Sequence, residues 1–211
     1  VNTGKPNEID PFEPAKVAWS VNQMGVHHVV ITSVNRDELK YQGSDLWART
    51  IRQVKKHNPG VTIEVLIPDF KGDLDCLQRV IDEKPNVLNH NVETVPRLYR
   101  PVRPQAKYER SLLVLEESKK RGMRTKTGIM VGLGEKSEEV IDVMKDLREI
   151  NVDIFTVGQY LQPTEEHLPV DRYVHPEEFE EYRRIGLDMG FRFVESGPLV
   201  RSSYRAEKHV K

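Results

Sequence analysis

The chain has 211 residues, with 32 basic and 33 acidic side chains and a formal net charge of -1. This length is sufficient to bury the core of one sizeable domain, and the balanced charge argues against a broad nucleic-acid-binding surface. No apolar run approaches the roughly 18 residues of a membrane-spanning helix. No signal peptide is visible either, so we expect a soluble protein of a cytosol-like compartment.

The chain contains a single cysteine, Cys76, which cannot by itself form an internal disulfide or a cysteine metal cluster. It lies in the helical pattern LDCLQRVI, where a buried structural thiol is expected. The seven histidines show no metal-binding spacing, and no G-x-S-x-G elbow marks a serine nucleophile. The sequence opens with VNTG and has no initial methionine, so we expect a fragment or a processed product.

Apolar residues recur at helical spacing in six stretches. Pro14 suits the first turn of the first helix, and Gly25 suits the position after its last turn. Ser44 and Ser137 are candidate N-caps of the second and fifth helices. The predicted helices cover residues 14–24, 44–57, 73–84, 107–121, 137–150 and 176–189.

Six short apolar runs, rich in β-branched residues, alternate with these helices. Most are continuously apolar, which is typical of strands buried on both faces of a sheet. Strict alternation of helix and strand predicts right-handed βα units and a parallel sheet within a single domain, residues 1–211. The predicted strands lie within residues 27–34, 62–70, 86–95, 125–135, 153–163 and 191–200.

Polar residues stand at the C-terminal end of almost every predicted strand. Sites in parallel α/β folds form at this edge, so polar groups at every strand end favour a site ringed by all strands, as in a partial (β/α) barrel. An open Rossmann sheet would concentrate them at one switch point, and no G-x-G-x-x-G follows the first strand. The strand-end residues include Thr32, Ser33, Asp69, Asn89, His90, Asn91, Glu93, Gly134, Glu135, Gln159 and Tyr160.

The stretch NHNVETV places Asn89, Asn91 and Glu93 on one face of a strand. Inward polar side chains are costly unless they are paired or face a ligand, so the pattern indicates either a ligand site or a buried polar network. The stretch TSVNRDEL can likewise be a ligand-binding strand end or a turn that satisfies its own backbone. The glycine-rich end of GIMVGLGE allows close approach of a ligand, although many βα turns look similar.

The loop PRLYRPVRP, within residues 96–106, carries Arg97, Arg100 and Arg103. Arginines in a stiff proline-containing loop can bind carboxylates or an acidic protein surface. A solvated loop fits the composition equally well.

Taken together, the segments resemble one family, the lipoyl synthases of the radical S-adenosylmethionine (SAM) superfamily. The similar segments occur in family order and cover essentially the whole chain. They are VVITSVNRDEL, IEVLIPDFKGD, LNHNVETVPRLYRPVRP, YERSLLVLE, TKTGIMVGLGE, VGQYLQPTEEHLPVDRYVHPEEF and SGPLVRSSYRA.

The resemblance implies a partial (β/α)₆ barrel with two [4Fe-4S] clusters, one of which cleaves SAM to a 5′-deoxyadenosyl radical. That radical abstracts hydrogens at C6 and C8 of a protein-bound octanoyl-lysine, and the auxiliary cluster is sacrificed as the sulfur source. The family's auxiliary cluster has three cysteine ligands and a serine of the R-S-S-Y motif. Here that serine is Ser202 or Ser203, in a C-terminal extension over residues 196–211, and Ser202 is preferred.

The family's cluster cysteines, C-x3-C-x2-C and C-x4-C-x5-C, have no counterpart in this sequence, and Cys76 matches neither motif. We therefore expect that an N-terminal segment is missing, including the first barrel strand and the cluster loop. We also expect that these 211 residues alone neither retain both clusters nor turn over.

The resemblance also implies site residues and partners. Arg97, Arg100 and Arg103 become candidates for docking the acidic lipoyl domains of 2-oxoacid dehydrogenase E2 subunits or the glycine cleavage H protein. An electron donor such as ferredoxin or flavodoxin is implied, in the bacterial cytoplasm or the mitochondrial matrix. The implied SAM-binding residues are Thr32, Ser33, Asp37, Asn91, Glu93, Tyr108, Arg110, Ser111, Gly132, Glu135, Gln159 and Leu161.

The sequence also allows two other hypotheses. A non-catalytic fragment or paralogue would keep the barrel and bind SAM or protein without turnover. An unrelated aldolase-like barrel would need a Schiff-base lysine inside a strand, for which Lys126 is the sole good candidate.

Overall fold

A computed structural model of the chain describes residues 6–210. The six predicted strands and the six predicted helices are all confirmed, with most ends within two or three residues. The strands are His28–Thr32 (β1), Thr62–Leu66 (β2), Val87–Asn89 (β3), Thr125–Val131 (β4), Ile154–Gln159 (β5) and Phe193–Gly197 (β6). The helices are Glu13–Met24 (α1), Ser44–His57 (α2), Leu74–Asp82 (α3), Tyr99–Val102 (α4), Tyr108–Lys120 (α5), Ser137–Glu149 (α6) and Pro176–Asp188 (α7).

The strands form one fully parallel sheet in the order β1-β2-β3-β4-β5-β6. This is the order that successive βα units produce when every crossover has the same hand. The predicted α/β class with a partial-barrel sheet is confirmed. None of the helices within residues 6–210 is both long and apolar enough to cross a membrane.

The helix ends differ from expectation in two places. Gly43 and Lys136 occupy the N-cap positions, so Ser44 and Ser137 are the first helical residues rather than caps. The Ser44 hydroxyl donates instead to the carbonyl of Tyr41 at 2.8 Å. Sequence signals identify the turn in which a helix begins but not the residue whose backbone first becomes helical.

The loop that begins at residue 96 is more ordered than expected. A short 3₁₀ turn, Pro96–Leu98, leads directly into the one-turn helix α4. Proline suits the first position of a helical turn because its missing N–H would have no partner there. Tyr99 anchors the turn, since its buried hydroxyl donates to the Val92 carbonyl at 2.6 Å.

The sheet is strongly curved. Asn91, just after β3, and Val200, just after β6, line the same cavity. In a flat sheet the ends of these two strands would be about 14 Å apart, which is three interstrand spacings. A C-terminal 3₁₀ turn, Ala206–Lys208, packs against β1 from the β6 side. The curvature gives the sheet an inner face that encloses polar groups and an outer face that the helices cover.

The outer face carries the apolar core in two clusters. One packs β2 and β3 against α1, α2 and α3, around fully buried Ile51, Ile63 and Val65. The other packs β4, β5 and β6 against α5, α6 and α7, around fully buried Phe155 and Val157. These outer clusters hold the strands in register and thereby fix the positions of the strand ends.

Candidate ligand site at the carboxyl ends of the strands

A cavity of about 190 Å³ lies at the carboxyl ends of β3 to β6. It is bounded by β3-end residues on one side and by the segment after β6 on the other. Five of the residues singled out in the sequence meet there. Its lining consists of Asn91, Glu93, Gly128, Ile129, Met130, Thr156, Gly158, Gln159, Leu161, Val200, Arg201 and Ser202.

The backbone after β3 does not continue as the strand predicted to residue 95. Pairing stops at Asn89, and Glu93 adopts a left-handed conformation with φ 68°. Its N–H donates to the Gly128 carbonyl at 2.9 Å, and its own carbonyl accepts from Met130 N at 2.8 Å. A non-glycine residue at positive φ carries strain that persists only where its surroundings fix it. Here β4 fixes it, and the Glu93 side chain faces the cavity.

Asn91 and Glu93 form the polar wall of the cavity. Burial raises the pKa of the Glu93 carboxyl, while the Arg103 guanidinium and the Asn91 amide oppose the increase. The Asn91 Oδ1 atom is buried and has no hydrogen-bond partner among the described residues. Such an atom is expensive to leave unsatisfied, and a ligand donor placed in the cavity would satisfy it.

Two glycines allow the opposite wall to approach closely. A Cβ at Gly158 would lie 2.4 Å from the Val200 carbonyl oxygen, and one at Gly128 would lie 2.2 Å from the Thr156 hydroxyl. Only glycine therefore permits the segment after β6 to pack over β5. This close approach brings Ser202, which is half-buried, to the cavity, whereas Ser203 is exposed and does not line it.

The glycine loop after β4 is held by its own glutamate. The Glu135 carboxylate accepts from the N–H groups of Gly132 at 2.7 Å and Leu133 at 2.9 Å. A Cβ at Gly132 would lie 2.5 Å from the Arg172 carbonyl oxygen. This loop therefore closes on itself and against residues near 172, beside the cavity.

Gln159 bridges the cavity to the same neighbouring segment. Its Nε2 donates to the Arg172 carbonyl at 3.1 Å, and its Oε1 accepts from Val174 N at 2.9 Å. Leu161, two residues on, lies at the rim and is 47% exposed. Gln159 thus fixes one wall, and Leu161 supplies an apolar edge to the opening.

Thr32 and Ser33 lie elsewhere. They line a separate pocket of about 270 Å³ between β1 and helices α1 and α2, together with Arg36 and Trp47. Asp37 follows in the same exposed loop, with its carboxylate 3.9 Å from the Lys71 ammonium. The structure therefore separates Thr32 and Ser33 from the predicted SAM-binding residues that line the cavity.

The predicted residues of α5 lie in a layer outside the cavity. The Tyr108 hydroxyl donates to the Asp146 carboxylate at 2.8 Å, and burial beside that carboxylate raises the pKa of Tyr108. Arg110 pairs with the Asp69 carboxylate at 2.9 Å. Ser111 is buried, with its hydroxyl 3.0 Å from the His90 Nε2. Arg110 and Ser111 thus contact the segments that follow β2 and β3, and Tyr108 joins α5 to α6.

The three loop arginines have different environments. Arg97 binds both carboxylate oxygens of Glu139 at 2.8 Å, and this pairing lowers the pKa of Glu139 to about 2. Arg103 turns inward and donates to the Asn91 carbonyl at 3.3 Å. Arg100 is exposed on α4.

Besides the apolar residues Ile129, Met130 and Val200, the sequence analysis missed four cavity residues: Gly128, Thr156, Gly158 and Arg201. The first three occupy inward positions within β4 and β5. A glycine inside a strand often marks a close approach of backbone or ligand, so Gly128 and Gly158 carried a usable signal. Arg201 opens the R-S-S-Y motif, which also carried a signal, whereas nothing local distinguishes Thr156.

Comparison with known proteins identifies the family. Residues 1–147 match the model of the Radical SAM superfamily. The mitochondrial lipoyl synthase of Nematostella vectensis is 58% identical over 211 residues, which is 100% of this chain and 72% of that protein. The lipoyl synthase of Rubrobacter xylanophilus is 57% identical over 213 residues and is covered to 66% of its length. This chain belongs to the lipoyl synthase family.

Solved structures show the same fold at low sequence identity. Methylornithine synthase superposes with a TM-score of 0.66 at 17% identity, covering 95% of this chain and 66% of that chain. Streptococcus suis SuiB bound to S-adenosylmethionine superposes with a TM-score of 0.68 at 12% identity, covering 93% and 45% of the two chains. At these identities the match concerns the barrel-like fold alone.

The radical SAM family implies a [4Fe-4S] cluster and SAM as cofactors. For SAM the cavity is chemically suitable: a carboxylate, an unsatisfied amide oxygen and glycine walls accept a polar ligand. At about 190 Å³ it would hold only part of such a molecule. For a cluster, residues 6–210 do not form a complete site, because they contain no group of three or more His, Cys, Asp and Glu side chains arranged to bind a metal ion.

Proposed function

We propose that this chain carries the SAM-binding and substrate-binding wall of a lipoyl synthase, a radical SAM sulfurtransferase. The reaction proposed is the insertion of two sulfur atoms at C6 and C8 of a protein-bound octanoyl-lysine. The observation that carries this proposal is the meeting of Asn91 and Glu93 with Ser202 around one cavity. Residues from the middle and the C-terminal end of the chain converge there, within a sequence 58% identical to a lipoyl synthase.

SAM and the iron–sulfur clusters, when bound, supply the carbon radical and the sulfur atoms. The side chains of this chain bind and orient. Glu93 and Asn91 offer acceptors for ammonium or hydroxyl donors of a ligand, and Arg103 holds the Asn91 carbonyl in place. The segment packed closely over Gly158 covers one wall of the cavity. Such cover limits the access of water, which would otherwise favour side reactions of a carbon radical.

We assign the cluster-binding serine to Ser202. Its half-buried position at the cavity supports this choice over Ser203, which is exposed. In the cluster-loaded product of the whole gene that contains this coding sequence, Ser202→Ala should abolish sulfur insertion, while Ser203→Ala should retain most of it. Equal loss in both variants, or loss in Ser203→Ala alone, contradicts the assignment.

Among the three docking candidates, Arg100 is the best placed for an acidic lipoyl domain of an E2 subunit or an H protein. Arg97 is already bound to Glu139, and the half-buried Arg103 donates to the Asn91 carbonyl. Arg100→Glu should slow association with an octanoylated H protein and weaken the salt dependence of binding. Lys145→Glu, on the exposed face of α6, serves as a matched charge control.

We also propose that a polypeptide of these 211 residues alone does not turn over. Its single thiol, Cys76, is buried, donates to the Tyr41 carbonyl at 3.4 Å and has its pKa raised by burial. A thiol in that state is a poor metal ligand. Anaerobic reconstitution with iron and sulfide should give less than one cluster per chain, and two stoichiometric four-iron clusters would refute this.

The function is tested in a strain that lacks lipoyl synthase. The gene containing this coding sequence is expressed there, and the H protein is analysed by mass spectrometry. The expected result is octanoyl-lysine converted to lipoyl-lysine, with two sulfur atoms gained. A protein that binds SAM but leaves the octanoyl group unchanged would instead be the non-catalytic paralogue. A soluble donor of the ferredoxin or flavodoxin kind, available in the bacterial cytoplasm or the mitochondrial matrix, supplies the electrons.

A further inference from the structure

A charged cluster lies on the inner face of the sheet, within three neighbouring strands. The Lys126 ammonium on β4 lies 2.8 and 3.1 Å from the two carboxylate oxygens of Glu64 on β2. The Asn89 amide on β3 donates to the same carboxylate at 3.0 Å. All three side chains are fully buried, and none of them lines the cavity above.

Stability alone does not explain this cluster. Burying a carboxylate and an ammonium is costly, and a pair of well-packed apolar residues is often as stable or more stable. Inner positions of (β/α) barrels are usually filled by branched apolar side chains. An ion pair at such a position therefore indicates a role that apolar packing cannot perform.

The cluster holds the last residue of β3. The Asn89 side-chain amide is held by Glu64. The Asn89 backbone carbonyl accepts from Ile67 N at 2.9 Å. The next residue, His90, donates its N–H to the Lys126 carbonyl at 3.0 Å. Both the side chain and the backbone are thus clamped immediately before the chain leaves the sheet and turns toward the cavity.

The clamped residue leads directly to the polar wall of the cavity. Asn91 and Glu93 follow Asn89 by two and four residues, and both line the cavity. A rotation of Asn89 would turn that segment, including the strained conformation of Glu93. Lys126 also precedes the cavity residue Gly128 by two positions on β4, so the cluster forms the layer directly beneath the cavity.

We infer that Glu64, held in place by Lys126, is a positioning residue that orients Asn89 and thereby sets Asn91 and Glu93 for ligand binding. Its carboxylate acts as a fixed acceptor rather than as a charge that meets the ligand. The identity of the ligand used below, SAM, rests on the proposed function. The clamp itself does not depend on it.

Two double variants separate the acceptor from the charge. E64Q/K126M removes both charges but keeps an oxygen that can accept from Asn89. E64L/K126M removes both charges and the acceptor. SAM binding is measured on the cluster-loaded product of the whole gene that contains this coding sequence. It should stay within about threefold of wild type in E64Q/K126M and weaken at least about tenfold in E64L/K126M, because small displacements of positioning groups are costly. Equal affinity in the two variants overturns the inference.

Hydrogen exchange supplies a readout that requires no SAM. Amides of residues 90–93 should exchange faster in E64L/K126M than in E64Q/K126M, while those of α7 should be unchanged in both. Equal exchange rates of residues 90–93 in the two double variants overturn the inference. If wild type binds no SAM, the proposed function fails but the exchange experiment still decides the inference. Should E64L/K126M not fold, Asn89→Leu, which leaves the ion pair intact, must reproduce the faster exchange.

Discussion

The outer and inner faces of the same sheet are built from opposite chemistry. Ile63 and Val65 flank Glu64 on β2, and Phe155 and Val157 flank Thr156 on β5. The flanking residues point outward and are fully buried in the apolar clusters beneath the helices. The residues between them point inward, toward the ion pair and the cavity. Alternate residues of one strand therefore have different roles: one set packs against the helices, and the other faces the polar interior.

This difference teaches where stability and binding reside. Apolar burial on the outer face supplies the favourable free energy, at roughly 25 cal/mol per Å² of apolar surface removed from water. The inner face offsets some of that free energy, because it buries polar groups, including an unsatisfied amide oxygen at Asn91. Substitutions on the outer face should therefore change stability alone, and substitutions on the inner face should change ligand binding as well as stability.

The largest expected effect comes from the outer face. Phe155 is fully buried and stacks on Phe191 with ring centroids 5.5 Å apart. Phe155→Ala should lower the free energy of unfolding by about 3–5 kcal/mol, because it removes buried surface and leaves a cavity. Urea denaturation measures this. Phe12→Ala, at a residue 69% exposed, is the control and should change stability by less than about 0.5 kcal/mol.

A single substitution in the inner cluster should be costly for a different reason. Lys126→Met leaves the Glu64 carboxylate buried without its cation, which costs about 3 kcal/mol. Burial already raises the pKa of Glu64, and loss of the ammonium raises it further. Since a raised pKa in the folded state favours folding at low pH, the deficit should shrink as the pH falls from 8 toward 5. A deficit independent of pH would show that lost packing, not charge, is responsible.

A smaller effect on stability, with a larger one on binding, is expected at Gly158. Its substitution by alanine would push against the Val200 carbonyl, a backbone atom that cannot rotate away. We expect a loss of about 1–3 kcal/mol, as is usual for overpacking, and displacement of the segment that carries Ser202. Gly197→Ala is the matched control, since its Cβ would meet only the Val200 side chain at 3.4 Å. Weaker SAM binding in Gly158→Ala but not in Gly197→Ala is the predicted pattern.

The outer face was predictable from sequence, and the reason is local. Apolar spacing along a helix or strand is set by which side is buried, so the six helices and six strands could be located to within a few residues. The continuous apolar run around Phe155 marks a buried strand in the same way. Element order then fixed a parallel sheet.

The inner face was predictable only in part. Alternation along one strand predicted a common face for Asn89, Asn91 and Glu93. The end of β3 at Asn89 and the left-handed Glu93 depend instead on hydrogen bonds to β4. Likewise, the pairing of Arg97 with Glu139 joins residues 42 positions apart. Contacts between distant segments leave no periodic signal, so the separate pocket of Thr32 could not be anticipated.

The smallest expected effect concerns the pH dependence of stability at His209, which is buried beside β6. The fully buried His209 ring lies 5.2 Å from the Phe193 ring and 3.8 Å from the Glu195 carboxylate. Burial lowers the pKa of His209 to about 4, and the nearby Lys126, His28 and Arg124 act in the same direction. In the unfolded chain a histidine titrates near 6.5, so protons bind the unfolded state first as the pH falls.

Wild type should therefore lose stability between pH 6.5 and about 4 to a greater extent than His209→Leu, in which this group is absent. The difference between the two unfolding free energies should change by on the order of 1 kcal/mol across that window, allowing for solvent screening. Subtracting the two proteins cancels the titration of the surface carboxylates, which they share. If the unfolding free energies of the two proteins change in parallel with pH, the folded state must protonate His209 as readily as the unfolded chain does. The C-terminal turn would then not shield the inner face from solvent, contrary to the buried position of His209.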